Sequence, residues 1–166
     1  MRSSEAVRPL IEKLRVRDDK AVPSLVDAVT EALEAIGPPS VEPLCEVLSD
    51  RDELFRARAV EVLGKIRDAR AVRPLLNVLQ DDPSVIVLPR ASEALGNIGA
   101  AAVAPLFVFL SEQQNKWPLE YAQQAVRNVK DPEAVGGLTR VLIDQRSARR
   151  DLAAEMLGAI DRKSVV

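Results

Sequence analysis

One cysteine, no histidine and a scatter of carboxylates are what this chain of 166 residues offers to chemistry. Without imidazole, Ser–His and Cys–His nucleophilic pairs cannot form. Zinc and iron sites built on histidine are excluded in the same way. Cys45 has no second cysteine to pair with, which suits a reducing compartment and a cytoplasmic location. Its register matches Ile11, Leu76, Phe107 and Thr139, so it is expected in the core. Asp18-Asp19 and Asp81-Asp82 fall in turns, where aspartate caps helices rather than serving as a general acid. Gly136-Gly137 is a lone pair, not a phosphate-binding loop. The expectation is a protein that is not an enzyme, with no cofactor and no metal.

Recognition is the remaining chemistry. Trp117 and Tyr121, the only residues of their types, lie four apart and so on one helix face. Large aromatics near arginine are what binding hot spots favour. The alternative for Trp117 is packing against the following segment. A second series, Glu31, Glu61, Glu93, Gln124 and Glu155, is either an acidic ladder for a basic partner or a solvated face paired with nearby arginine. The solvated, paired face is the expectation.

The elements that must position these residues repeat. Val-x-Pro-Leu opens at Val7, Val41, Val72 and Val103, with a worn copy at Val135, at steps of 31 to 34 residues. A closing phrase of the type Leu-Gly-x-Ile begins at Leu33, Leu63, Leu95, Val126 and Leu157, at steps of 30 to 32 residues. Two markers with one shared period mean stacked supersecondary units. Within residues 38–68, Val41, Leu44, Cys45, Val47 and Leu48 make one apolar stripe, and Phe55, Ala59, Val60, Val62, Leu63 and Ile66 a second. Each unit is thus a helical hairpin with proline in the first turn of its first helix. Gly64, Gly96 and Gly158 recur inside the second helix, which predicts a neighbour too close for a Cβ. Gly37 and Gly99 follow their helices as stops. Pro89 predicts a second helix beginning near it, with Val85 to Leu88 as an apolar elbow. The fold expected is all-α: an α-solenoid of about five hairpins in a single domain over 1–166, divided at about 1–37, 38–68, 69–99, 100–131 and 132–166.

Ala71 to Leu79, then Asp81-Asp82-Pro83, then Ala91 to Gly99 resemble the HEAT-like repeats of the type found in phycobilin lyases. The resemblance implies second helices lining a concave face. It also implies an alternative function, an accessory subunit of a bilin-handling lyase system. The His-Glu pairs of HEAT-repeat hydroxylases have no counterpart here.

Counting from the leucine of the closing phrase, the residues two, five, six and nine before it fall off the apolar stripe and are expected in that groove. They include Leu54, Arg58, Ile86, Arg90, Trp117, Glu120 and Tyr121. Leu54, Ile86, Trp117 and Tyr121 break the polar rule for such positions. The expected function is therefore a non-catalytic scaffold that binds a protein or peptide there. Arg58 and Arg90 would orient acidic groups on the partner. Net charge is −2 and no repeat is markedly basic, so nucleic acid and anionic lipid are not expected partners. The same charge pattern sets aside a DNA-lesion enzyme. No apolar run is long enough to cross a bilayer. The oligomeric state is left open, with a monomer the simpler case.

Overall fold

The computed structural model describes residues 2–15, 22–112, 119–129, 136, 151 and 153–158. Its helices are α1 (Arg2–Lys13), α2 (Val22–Ile36), α3 (Val41–Val47), α4 (Glu53–Ile66), α5 (Val72–Asp81), α6 (Val87–Ile98), α7 (Ala100–Glu112) and α8 (Leu119–Asn128). Residues 153–158 are also helical, and no strand occurs among the described residues. Short 3₁₀ turns, Pro38–Ser40 and Ala69–Ala71, lead into α3 and α5. Consecutive helices pair as hairpins. The second helices stack most extensively, α4 on α6 and α6 on α8, while α1, α3, α5 and α7 form the other layer. This is an all-α solenoid.

The two sequence markers are its core. Leu44, Leu75 and Leu106 from the openings, and Leu33, Leu63 and Leu95 from the closings, are all fully buried. Each such side chain contributes about 1.5–3 kcal/mol on leaving water. Leu157, expected in the same layer, is half-buried. Cys45 also departs from expectation. It is half-buried rather than enclosed, and burial pushes its thiol up to about 11. That thiol therefore stays protonated at neutral pH.

The helical glycines have the predicted cause at two positions. A Cβ on Gly64 would stand 2.8 Å from both Cα and Cβ of Ala94, so α4 and α6 touch backbone to backbone. On Gly96 it would collide with Asn128 Cβ, and it would lie 3.0 Å from the carbonyl carbon of Asn128. At Gly158 no described residue lies within 4 Å of where a Cβ would stand.

The ends of the helices follow local rules, with adjustments. Asp52 caps α4 by accepting the Leu54 and Phe55 amides at 3.0 and 3.4 Å. Gly37 and Gly99 end their helices at φ 71° and 79°, and Arg67 takes the left-handed slot after α4 at φ 58°. Pro9 and Pro105 lie inside α1 and α7 rather than in a first turn. In the second and third repeats the 3₁₀ turn separates that extra turn from the helix, and Pro43 and Pro74 stand near the start. The elbow before Pro89 is shorter than expected. α6 already begins at Val87, and Val87 and Leu88 are core while Val85 is exposed. Pro89 then occupies the first turn, where its missing N–H has no helical acceptor to lose.

Candidate functional site

The second helices present their off-stripe residues much as the register predicts. Leu54 is 45% exposed at the start of α4. Ile86 is half-buried at the start of α6, with Arg90 exposed one turn on. Glu120 is exposed and Tyr121 half-buried on α8. Trp117 lies outside the described residues. Ala57, six residues before Leu63 and so expected in the groove, is instead buried. Ser84 Oγ donates to Glu53 Oε2 at 2.7 Å, which ties the start of α4 to the turn before α6. Leu54 and Ile86, each nine residues before its marker leucine, are thus set at the same end of neighbouring helices.

The two arginines of this face are anchored to backbone. Arg58 Nη1 donates to the Leu14 carbonyl at 2.5 Å, and Arg90 Nη1 to the Ile86 carbonyl at 2.9 Å. The glutamate series is different. Glu31, Glu61, Glu93, Gln124 and Glu155 are all exposed. Within it only Glu61 has an ion pair among the described residues, and its partner is Lys65 at 3.4 Å, not arginine. Among the described residues, then, this row is solvated as expected but no member of it is paired with arginine. Beside the Gly64–Ala94 contact, α4 and α6 bound a cleft of about 370 Å³, walled by Glu61, Lys65, Arg90, Glu93 and Asn97.

A second cluster has no signal in the periodicity. Arg56 is buried at the hairpin turns. Its Nε and Nη2 donate to the two carboxylate oxygens of Asp82 at 2.7 and 2.9 Å, and its Nη1 to the Asp50 carbonyl at 2.7 Å. On the outer side of the same turn, Arg15 forks onto Asp50 at 3.1 and 2.7 Å and stacks over the Phe55 ring at 4.2 Å. Three successive turns are joined this way. Of the pair expected in a turn, Asp81 is instead the last residue of α5 and Asp82 opens the turn, where it accepts the Ser84 amide, but its larger role is to hold Arg56. Asp18-Asp19 and Gly136-Gly137 are not both within the described residues. The described residues hold no group of three His, Cys, Asp or Glu able to bind a metal ion.

The staple at Asp50 makes stability pH-dependent. The Arg15 guanidinium, helped by the Asp52 amide, holds the Asp50 carboxyl below its ordinary value. A depressed carboxylate stabilises the fold fully above its unfolded pKa of about 3.9 and loses that contribution as pH falls through the folded value. Urea midpoints measured from about pH 5 down to about pH 2.5 should therefore fall less steeply in Asp50→Asn than in the wild type. Parallel curves would show that this pair does not couple folding to protons.

A solenoid whose second helices stack in a continuous layer belongs to the class of helical-repeat proteins. Residues 41–126 match the HEAT repeats family, and the chain belongs to it. Human deoxyhypusine hydroxylase is 31% identical over 102 residues, covering 61% of this chain. The chain spans 34% of that relative's length. Among solved structures, a chain from the complex of CpcE and CpcF of phycocyanin lyase from Nostoc sp. PCC7120 superposes with a TM-score of 0.60. The match covers 93% of this chain and 98% of that one at 20% identity, a likeness of fold. No helix among the described residues is long and apolar enough to cross a membrane.

Proposed function

We propose that this chain is a non-catalytic interaction module that captures a segment of a partner protein across the face of its second helices. The observation that carries this is the exposure of Leu54, with Ile86 half-buried at the same register position in the adjacent repeat. A helix or extended segment lying across α4, α6 and α8 would bury them, with Tyr121, Glu120 and Trp117 continuing the contact. Arg58 and Arg90 stiffen that face through their bonds to carbonyls. The absence of histidine from the chain runs against a metal-dependent hydroxylase built on imidazole.

The test is retention of partners from the source organism by the wild type and by Leu54→Ser with Ile86→Ser. The double variant should lose the partner while keeping its melting curve, and Trp117→Ala should weaken binding by about 2 kcal/mol. Unchanged retention by the double variant would place binding elsewhere.

The alternative is an accessory role in bilin handling, supported by the likeness to the CpcE and CpcF structure. Mixing the chain with free bilin separates the two. A strong new visible absorbance supports bilin handling, and an unchanged spectrum supports the scaffold.

A further inference from the structure

We infer that the outer side of the first hairpin is an interface for a second copy of this chain, with α2 paired antiparallel to its own copy. Each later second helix turns one side toward the repeat before it. On α6 that side includes Ala94, against Gly64 of α4, and on α8 it includes Ala125 and Asn128, against Gly96 of α6. The counterparts on α2 are Ala32 and Ala35. Seven residues before Ala94, two turns earlier on the same side, stands Val87. Val87 and its counterpart Phe55 are 0% and 1% exposed, whereas Leu25, the counterpart on α2, is 39% exposed. On α1, Leu10 is half-buried where Leu44, Leu75 and Leu106 are enclosed. The first hairpin thus carries the stacking side of an interior repeat and leaves it open among the described residues.

The free end of a solenoid is ordinarily polar. α1 follows that rule at Lys13, where later repeats have Val47, Val78 and Phe109. α2 reverses it. At two rim positions of the stacking side α4 has Arg58 and Lys65, and α6 has Arg90 and Asn97; α2 has exposed Ala28 and Ala35. Leu25, Ala28, Ala32 and Ala35 therefore form one apolar row at alternating steps of three and four residues, the spacing of a helix-pair seam. The seam is complementary to itself. Two copies running antiparallel about a two-fold axis level with Thr30 set Leu25 against Ala35 of the second copy, and Ala28 against its Ala32. The large side chain meets a small one at each end. Alanine also permits the close helix approach that this chain already uses where Ala94 meets Gly64. Asp27 and Glu34 lie about a third of a turn from the seam's centre. Glu31 flanks the seam, and the symmetry brings both copies of it to one side, but exposed like charges cost little beside burial of the seam. α2 is about 22 Å long, so the interface is a small one and the dimer should dissociate in the micromolar range.

Sedimentation equilibrium of the full chain tests this and should show a concentration-dependent dimer. Leu25→Glu should weaken it about a hundredfold or more, because both copies would bury the charge. Ala28→Glu, at an exposed residue, should also dissolve the dimer while leaving the urea midpoint of the monomer unchanged. Glu31→Gln should tighten the dimer about twofold. Leu54→Ser with Ile86→Ser, on the other face, should leave it as it is. Leu25→Cys with Ala35→Cys in a Cys45→Ser background tests the orientation. Within one chain these two positions are about 15 Å apart, too far for a disulfide, so oxidation should give a covalent dimer. A monomer at every concentration up to about 1 mM overturns the inference. A dimer indifferent to Leu25→Glu and Ala28→Glu overturns it too. A dimer that those changes dissolve but that does not cross-link overturns the antiparallel pairing. A dimer lost instead on Leu54→Ser with Ile86→Ser places the second copy on the face of Leu54 and overturns the end-face assignment.

Discussion

Arg56→Ala is expected to destabilise the fold by about 3–5 kcal/mol, the usual consequence of removing one partner from a buried ion pair. The side chains of Arg56 and Asp82 are only 11% and 5% exposed, and the two groups meet in a bidentate fork. Alanine would leave Asp82 with the Ser84 amide as its remaining donor among the described residues and would strip the Asp50 carbonyl of its bond to Nη1. The carboxylate would then have to stay charged without its cation or take up a proton, and both are unfavourable. The second and third hairpin turns would lose their link. Removing both charges tests the cause. Arg56→Met with Asp82→Leu should recover much of the loss, because no uncompensated charge stays behind. Urea denaturation gives both numbers. A single-variant loss below about 1 kcal/mol would mean that the pair behaves as an exposed surface bridge.

Gly96→Val should destabilise by about 3 kcal/mol or more, at the upper end for overpacking, because the obstacle includes backbone. A Cβ there collides with that of Asn128 and lies 3.2 Å from the Ala125 carbonyl oxygen, so α8 as a whole would have to move from α6. Side-chain rotation at Asn128 offers no relief, since Cβ is fixed by the backbone. Gly96→Ala should already be costly despite the better helix propensity of alanine. Asn128→Gly in the Gly96→Ala background should restore part of the stability, and a double-mutant cycle would read the coupling. Thermal melts with the wild-type midpoint for Gly96→Val would show that the helices are not this close.

The helical period, the alternation of first and second helices and the buried marker leucines were legible in the residues alone. They are local or periodic properties. Burial of Leu63 and Leu95 follows from helical spacing, and the close approach at Gly64 and Gly96 from a glycine kept where helix propensity opposes it. Asp52 as a cap and Gly37 and Gly99 as stops are equally local. The exposed positions of the second helices were also readable, except Ala57, which the register puts in the groove and the structure buries.

What only the tertiary structure decided are pairings between repeats. Arg56 and Asp82 stand 26 residues apart in the chain, and no repeated position marks either as a partner. Arg15 with Asp50 and Arg58 with the Leu14 carbonyl are likewise set by how one turn lands on the next. The same holds for Glu31 and Glu93. Their exposure follows from the register, but whether a cation lies within reach depends on the lateral offset of neighbouring helices. Periodicity fixes the face on which a residue lies. The distance to a charge on the next helix is a property of packing.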